Sequence, residues 1–229
     1  MIQYKEILQI KQRLGVIQMS AKEQAYQVQA AHIIEKLKLR GMEGFYCKNK
    51  EEALEKAKEF LKPGSTVTWG GSETIREVGL RDWLPQSGCV LYDRAEAKTE
   101  EERRAFFGKA VTADYFLMST NAITLDGELV NIDGSGNRVA CLIHGPEHVL
   151  VIAGMNKVAA DVEEAIKRVK NIASPPNTIR LEKDTPCAKT GRCAECLCDD
   201  CICCQVVVTR MSRIKDRIKV ILVGEELGF

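Results

Sequence analysis

The sequence predicts an α/β fold: a mainly parallel sheet flanked by helices, with an N-terminal helical segment and a Cys-rich loop before the last strand. Three observations carry this expectation. From residue 42 onward, short apolar runs alternate with amphipathic stretches at helical spacing, the signature of strand–helix–strand units. Val149 to Ala153 is an unbroken apolar run of the kind buried on both faces of a sheet. Seven of the ten cysteines fall between Cys187 and Cys204, in a stretch entered through Pro175-Pro176 and Pro186, which reads as an excursion from the sheet.

The elements follow in order. Residues 3–40 lack proline and contain one glycine, Gly15, so they read as helix. Ile7, Ile10, Leu14 and Ile17 keep 3–4 spacing, and Ala25, Val28, Ala31 and Leu37 continue a looser apolar face. This segment, 1–40, admits two readings, a helix packed on the domain or a dimerisation helix of a homo-oligomer. Residues 41–229 then form the α/β domain, including the Cys-rich loop 185–205. Phe45 to Cys47 reads as a strand, 48–61 as a helix, Pro63-Gly64 as a turn and Thr66 to Trp69 as a β-branched strand. Ser72 to Gly79 is a short helix, Cys89 to Tyr92 a strand, Glu100 to Lys109 a helix and Tyr115 to Met118 a strand. Ala122 to Ile132 reads as a hairpin turning on the pair Asp126-Gly127. Val158 to Lys170 has the pattern of an amphipathic helix, and Lys219 to Val223 closes the chain as a buried strand.

Composition narrows the function classes. The 229 residues are 45% hydrophobic and 28% charged, enough for a real core. With 33 basic and 32 acidic residues, the net charge of +1 gives no basic stripe for nucleic acid. The start, MIQYKEILQIKQRL, lacks the uninterrupted apolar region of a secretion signal, and no run approaches the roughly 18–20 apolar residues of a membrane span. The expected location is therefore cytoplasmic, with no membrane contact. Thiols stay reduced there, so clustered cysteines are read as metal-binding or redox-active before they are read as disulfides.

The cysteine spacing is C-x5-C-x2-C-x-C-x2-C-x-C-C. Cys193 and Cys196 form the C-x2-C pair that lets two thiolates reach one ion from a tight turn, with Cys187 and Cys203 bracketing it. Lys189 and Arg192 favour the thiolate. Seven thiols exceed one tetrahedral site, and the spacing departs from the bacterial ferredoxin run. Zinc, an iron–sulfur cluster, thiol redox chemistry and inert thiols all remain open on spacing alone.

Two polar constellations stand apart from the cysteines. In Trp69-Gly70-Gly71-Ser72-Glu73-Thr74 a strand ends, two glycines turn and a serine caps the next helix. Such a turn is either an anion site with exposed N–H groups or an ordinary strand-to-helix connection. The stretch from Thr120 to Arg138, TNAITLDGELVNIDGSGNR, is crowded with Asn, Asp and Gly. Turn chemistry accounts for Asp126-Gly127 and Asp133-Gly134 but not for Asn121, Asn131, Asn137 and Arg138. Amides and a guanidinium grouped around turns suit a polar, anionic small molecule, or else they stabilise local backbone. Lys157, after the buried strand, is placed either in the crevice at a strand's carboxyl end or on the surface.

Taken together, TVTWGGSETIREVGL (66–80), the stretch 113–140, GPEHVLVIAGMNKVAADVEEAIKR (145–168), TPCAKTGRC (185–193) and the terminal RIKVILVGEELGF resemble the LUD-domain family of lactate-utilisation proteins. The resemblance implies a fold similar to ribose-phosphate isomerase, glucosamine-phosphate deaminase and CoA-transferase proteins. It places Gly70, Gly71, Ser72, Asn121, Asn137, Arg138 and Lys157 around one ligand pocket. It narrows the thiol ligands to Cys187, Cys193, Cys196 and Cys203, with Cys198, Cys201 and Cys204 as extras. It further implies an accessory subunit in the oxidation of L-lactate to pyruvate, working with iron–sulfur partner subunits. The alternative is a stand-alone phosphosugar-, CoA- or nucleotide-binding enzyme or sensor with a structural zinc site. No nucleophile–base pair is legible, so the sequence predicts no catalytic residue.

Overall fold

A computed structural model describes residues 19–229. Its centre is a six-stranded, wholly parallel sheet in the order β1-β10-β7-β4-β2-β3. The strands are β1 (Glu43–Cys47), β2 (Thr66–Trp69), β3 (Val90–Tyr92), β4 (Tyr115–Met118), β7 (His148–Gly154) and β10 (Ile218–Val223). Alternation along the two central strands explains why both of their faces are apolar. Val149, Val151, Val220 and Leu222 face one core, while Leu150, Ile152, Ile221 and Val223 face the other.

The first core is covered by α1 (Ala21–Leu39), through Ala30, Ile33 and Leu37, together with α5 (Glu100–Ala110) and α6 (Asn137–Ile143). The second is covered by α2 (Lys50–Phe60), through Ala53 and Ala57, and by the short α3 (Glu73–Glu77) and α4 (Leu80–Trp83). The result is the three-layer α/β arrangement predicted from the alternation of strands and helices. Helix α1 begins with a reciprocal capping box between Ser20 and Glu23. The predicted helical positions at 3–18 lie outside the described residues.

Beside the main sheet stands a second, four-stranded one, β8-β5-β6-β9. It comprises β5 (Ala122–Thr124), β6 (Leu129–Asp133), β8 (Val158–Ala159) and β9 (Gln205–Thr209). Sequence reading placed the hairpin and did not foresee this separate sheet. The hairpin turns on Leu125-Asp126-Gly127 rather than on two residues, because Thr124 N–H donates to Glu128 O and Gly127 N–H to Thr124 O.

Three further expectations need correction. The helix expected from Val158 starts at Val162 (α7, Val162–Arg168), capped by Asp161, because Val158 and Ala159 pair with Ile123 and Thr124 as a strand. Pro175-Pro176 do not open a loop. They occupy the first turn of α8 (Ser174–Arg180), where a missing N–H is tolerated, and a π-turn at Val169–Ala173 joins α7 to α8. The cysteine segment is also not all loop. Thr185 caps a short helix α9 (Pro186–Thr190), and the segment ends in β9, which pairs antiparallel with β6 from Gln205↔Asp133 to Thr209↔Leu129.

A candidate anion cavity at the strand ends

The strand order reverses around β2: β3 lies on one side of it and β4 on the other. In open α/β sheets the crevice at such a reversal, beyond the carboxyl ends of the strands, is the place for a ligand. A cavity of about 490 Å³ occupies that position. The turns after β2 (Gly71, Ser72), β4 (Ser119–Asn121) and β7 (Lys157) form its base. Val169 and Ala173 of the π-turn, together with Ser174, form one wall.

Six of the seven predicted ligand residues, Gly71, Ser72, Asn121, Asn137, Arg138 and Lys157, line this single cavity. Gly70 lies just behind it, where a Cβ would approach Arg138 Cδ at 3.3 Å and the Phe116 ring at 3.5 Å. Its lack of a side chain makes room for the arginine. Gly71 has open space in front of it. Ser72 caps α3, its hydroxyl oxygen accepting from Ile75 N–H at 3.3 Å.

Arg138 is the hub of the base, and its donors are directed at the protein. Nη2 donates to Asn121 Oδ1 and Ile132 O, each at 2.8 Å, and Nη1 donates to Asn131 Oδ1. Nε lies 3.5 Å from Asp133 Oδ2, and Asp133 Oδ1 in turn accepts from Gly136 N–H at 2.9 Å. Asn121 returns the network to the backbone, its Oδ1 accepting from Ile132 N–H at 3.0 Å. The unexplained asparagines therefore lock the guanidinium in place. Burial lowers the arginine's pKa, and the Asp133 carboxylate opposes that shift.

Lys157 sits in a 3₁₀ turn immediately after β7 and is only 4% exposed. Its Nζ donates to Thr74 Oγ1 at 2.9 Å and Ser119 Oγ at 3.0 Å, and among the described residues no carboxylate pairs with it. Thr74 and Ser119 donate onward to the carbonyls of Leu227 and Thr120, both at 3.2 Å, so their oxygens are presented to the amine as acceptors. Backbone from the last residues closes over the group: a Cβ on Gly228 would fall 2.6 Å from Thr74 Oγ1. Burial, with the nearby Arg168 and Arg138 charges adding to it, pushes the amine down to about 7.

Arg168 stands behind the base, 8% exposed, bound among the described residues to the carbonyls of Asn156 (3.0 Å) and Asn121 (2.7 Å). The base thus carries Arg138, Arg168 and Lys157, with the Asp133 carboxylate beside Arg138 and Glu77 acting more weakly on Lys157, which leaves an excess of positive charge among the described residues in a low-dielectric setting. At the rim Arg94 adds to it, Arg180 lies 3.7 Å from the Glu73 carboxylate that also lines the cavity, and Asp199 and Asp200 line the side supplied by the cysteine segment.

Sequence reading missed Thr74, Ser119 and Arg168. The two hydroxyl residues carry no spacing signal, and Arg168 looks like one more charge on a solvated helix face. Strand β9 was also missed, although its β-branched Val-Val-Val-Thr run signals a strand. This strand, with the Cys204 N–H donating to Asp133 O at 3.0 Å, hangs the cysteine segment over the cavity.

None of the four predicted thiol ligands lines the cavity; Cys201 does. Cys187 is buried, its Sγ 3.5 Å from Thr178 Oγ1 and 3.3 Å from Thr185 Oγ1. Cys203 Sγ lies 3.3 Å from Ser174 Oγ. Burial pushes the Cys203 thiol up, a hydrogen bond with Ser174 opposes this, and the Cys193, Cys187 and Cys196 thiols add to the rise. Burial would also raise Cys196, but hydrogen bonds involving Cys198 and Cys201 outweigh it and leave this thiol below its ordinary range. Among the described residues, no three His, Cys, Asp or Glu side chains are gathered around one ion-sized point. The donor chemistry of the four thiols fits a soft ion such as zinc.

Comparison with known proteins gives the family. Residues 30–223 match the family model described as LUD domain. Among curated proteins none matches the chain. A solved DUF162 family protein from Deinococcus radiodurans aligns over 90% of this chain and 99% of its own, at 12% identity and a TM-score of 0.47. The family match spans most of the sequence and the whole cavity base, and the chain belongs to the LUD domain family.

Proposed function

We propose that the cavity at the strand ends binds a small anionic molecule, and that the protein serves as an accessory subunit in the oxidation of L-lactate to pyruvate. The observation that carries the reading is the positive charge at the cavity base: Arg168, and Lys157 below about pH 7, meet only hydroxyl and carbonyl oxygens among the described residues. A buried cation without a carboxylate is costly, and a bound anion removes that cost. The saturated Arg138 network fixes the base beforehand, so little ordering accompanies binding. In this scheme Gly71, Ser72, Asn121, Asn137 and Lys157 contact the ligand, while Arg138 contributes charge and position. Gly70 gives that arginine room.

The four thiols Cys187, Cys193, Cys196 and Cys203 would hold a zinc ion or an iron–sulfur cluster. An ion there would tie α9 to the strand that suspends the segment over the cavity; a cluster would supply electron transfer toward iron–sulfur partner subunits. The protein's own residues do the rest: they bind the anion, exclude water and hold Lys157 in place. One observation favours the second reading, a stand-alone phosphosugar-, CoA- or nucleotide-binding enzyme or sensor: this one chain encloses the cavity. A cytoplasmic location accords with both.

Isothermal titration with L-lactate, pyruvate and inorganic phosphate tests the proposal. We expect saturable binding of a carboxylate or a phosphate, weakened at least about tenfold by Lys157→Met below pH 7. Pyruvate or lactate binding supports the first reading and phosphate alone the second; no binding by any of the three sinks both.

A further inference from the structure

We propose that Lys157 is a nucleophile that captures the carbonyl carbon of a small anionic aldehyde or ketone as an imine. This rests on the anion-cavity reading and adds to it a substrate class and a covalent step.

The geometry around Nζ carries the argument. A neutral amine has two N–H donors and one lone pair, and Lys157 meets two acceptors, Thr74 Oγ1 and Ser119 Oγ. Both N–H groups are satisfied and the lone pair stays uncommitted on a group that lines the cavity. A charged ammonium would leave its third donor without a partner among the described residues. The charged groups that act on the amine are Arg168 on α7, Arg138 on α6 and Glu77 on α3. The two arginines oppose a third positive charge, and Glu77 favours it less strongly. The depressed amine, at about 7, agrees with this arrangement.

The step balances without any oxidant or reductant. The Nζ lone pair attacks the carbonyl carbon, a C–N bond forms and the C=O π bond becomes an alkoxide that takes a proton. Loss of that oxygen as water then leaves the C=N bond. The two amine protons move to that oxygen and depart with it as water. A cavity of about 490 Å³ is at the small end for ligand sites, which suits a compact substrate. Its carbonyl would lie against Nζ and its anionic end beside it at the base, where Arg168 and Arg138 supply positive charge.

Reductive trapping on the full chain tests this. The protein is incubated with glyoxylate in one arm and glyceraldehyde 3-phosphate in the other, each with sodium cyanoborohydride, and adducts are mapped by peptide mass spectrometry. Parallel calorimetry reads non-covalent binding. We expect labelling of Lys157 at least about tenfold above any other lysine, saturable in the probe and levelling off above about pH 7 as the neutral amine saturates. Surface lysines should keep rising toward pH 10, and Lys157→Arg, checked for folding by its melting curve, should lose only the selective adduct. The favoured arm shows whether the anion is a carboxylate or a phosphate. Labelling spread evenly over the lysines, or a Lys157 profile rising like a surface lysine, overturns the proposal. Saturable binding without an adduct overturns the imine and leaves the anion cavity standing, whereas neither binding nor an adduct overturns both.

Discussion

The cavity base and the cysteine segment meet at one wall, yet they are held by opposite means. At the base, Arg138 is saturated by Asn121, Asn131, Ile132 and Asp133, and Lys157 by two hydroxyls, all beneath a sheet buried on both faces. In the segment, the sulfurs touch hydroxyls or one another at 3.3–3.7 Å, and Leu197 is 99% exposed. The apolar core and the backbone fix the base whether or not a ligand is present. The segment is tied by β9, by the Cys204 N–H and by the pairs Lys170–Glu195 and Lys183–Asp200, while its thiols make only weak sulfur contacts. Composition alone gives the segment the strongest signal in the sequence, and the structure gives the base the stronger physical order.

The largest expected effect breaks the base. Arg138→Ala removes the donors to Asn121 Oδ1, Asn131 Oδ1 and Ile132 O and leaves Asp133 without its cation. A loss of about 3–5 kcal/mol is expected, seen as a melting temperature lower by roughly 10 °C. A shift within about 2 °C would mean that the network is not what holds the base.

The next effect has the opposite sign. Lys157 is lowered to about 7 in the fold, so between about pH 7 and pH 10 the unfolded chain binds a proton that the folded chain does not. Stability should therefore rise with pH across that window, by on the order of a few kcal/mol, and the gain should vanish as pH falls through about 7. Lys157→Met should flatten this dependence and raise stability at pH 6, both readable from urea unfolding. An unchanged slope would place the amine in contact with water.

Much of this comparison was legible beforehand, and the remainder fails for physical reasons. The main sheet showed itself because strands buried on both faces leave continuous apolar runs such as Val149 to Ala153. Six of the residues named from the sequence line one cavity, because the turns after β2, β4 and β7 and the helix that follows β6 meet there. Arg168 was hidden because a buried cation on a helix looks, in sequence, like an exposed one. The helical Pro175-Pro176 was hidden because a π-turn removes the usual meaning of a proline pair. Pairing with β6, a non-local contact, is what makes a strand of Gln205–Thr209.

Smaller changes sharpen the contrast. Gly70→Ala puts a methyl 3.3 Å from Arg138 Cδ, and a cost of about 1–2 kcal/mol is expected in thermal melts. Gly71→Ala meets nothing within 4 Å and should leave stability unchanged while altering ligand affinity. Smallest for the main fold is Cys193→Ser, which should shift unfolding by less than about 0.5 kcal/mol while removing bound zinc or iron from anaerobically purified protein by elemental analysis. Metal content unaffected by this change would take Cys193 out of the ligand set.

The most direct test of the charged cavity is calorimetric titration of phosphate and pyruvate into wild-type and Lys157→Met protein at pH 6 and pH 9. Lys157 is charged at the lower pH and neutral at the higher one, so the wild type should bind more tightly at pH 6. The variant should lose at least about tenfold there and little at pH 9. Equal affinities for the two proteins at pH 6 would contradict an anion site built on this lysine.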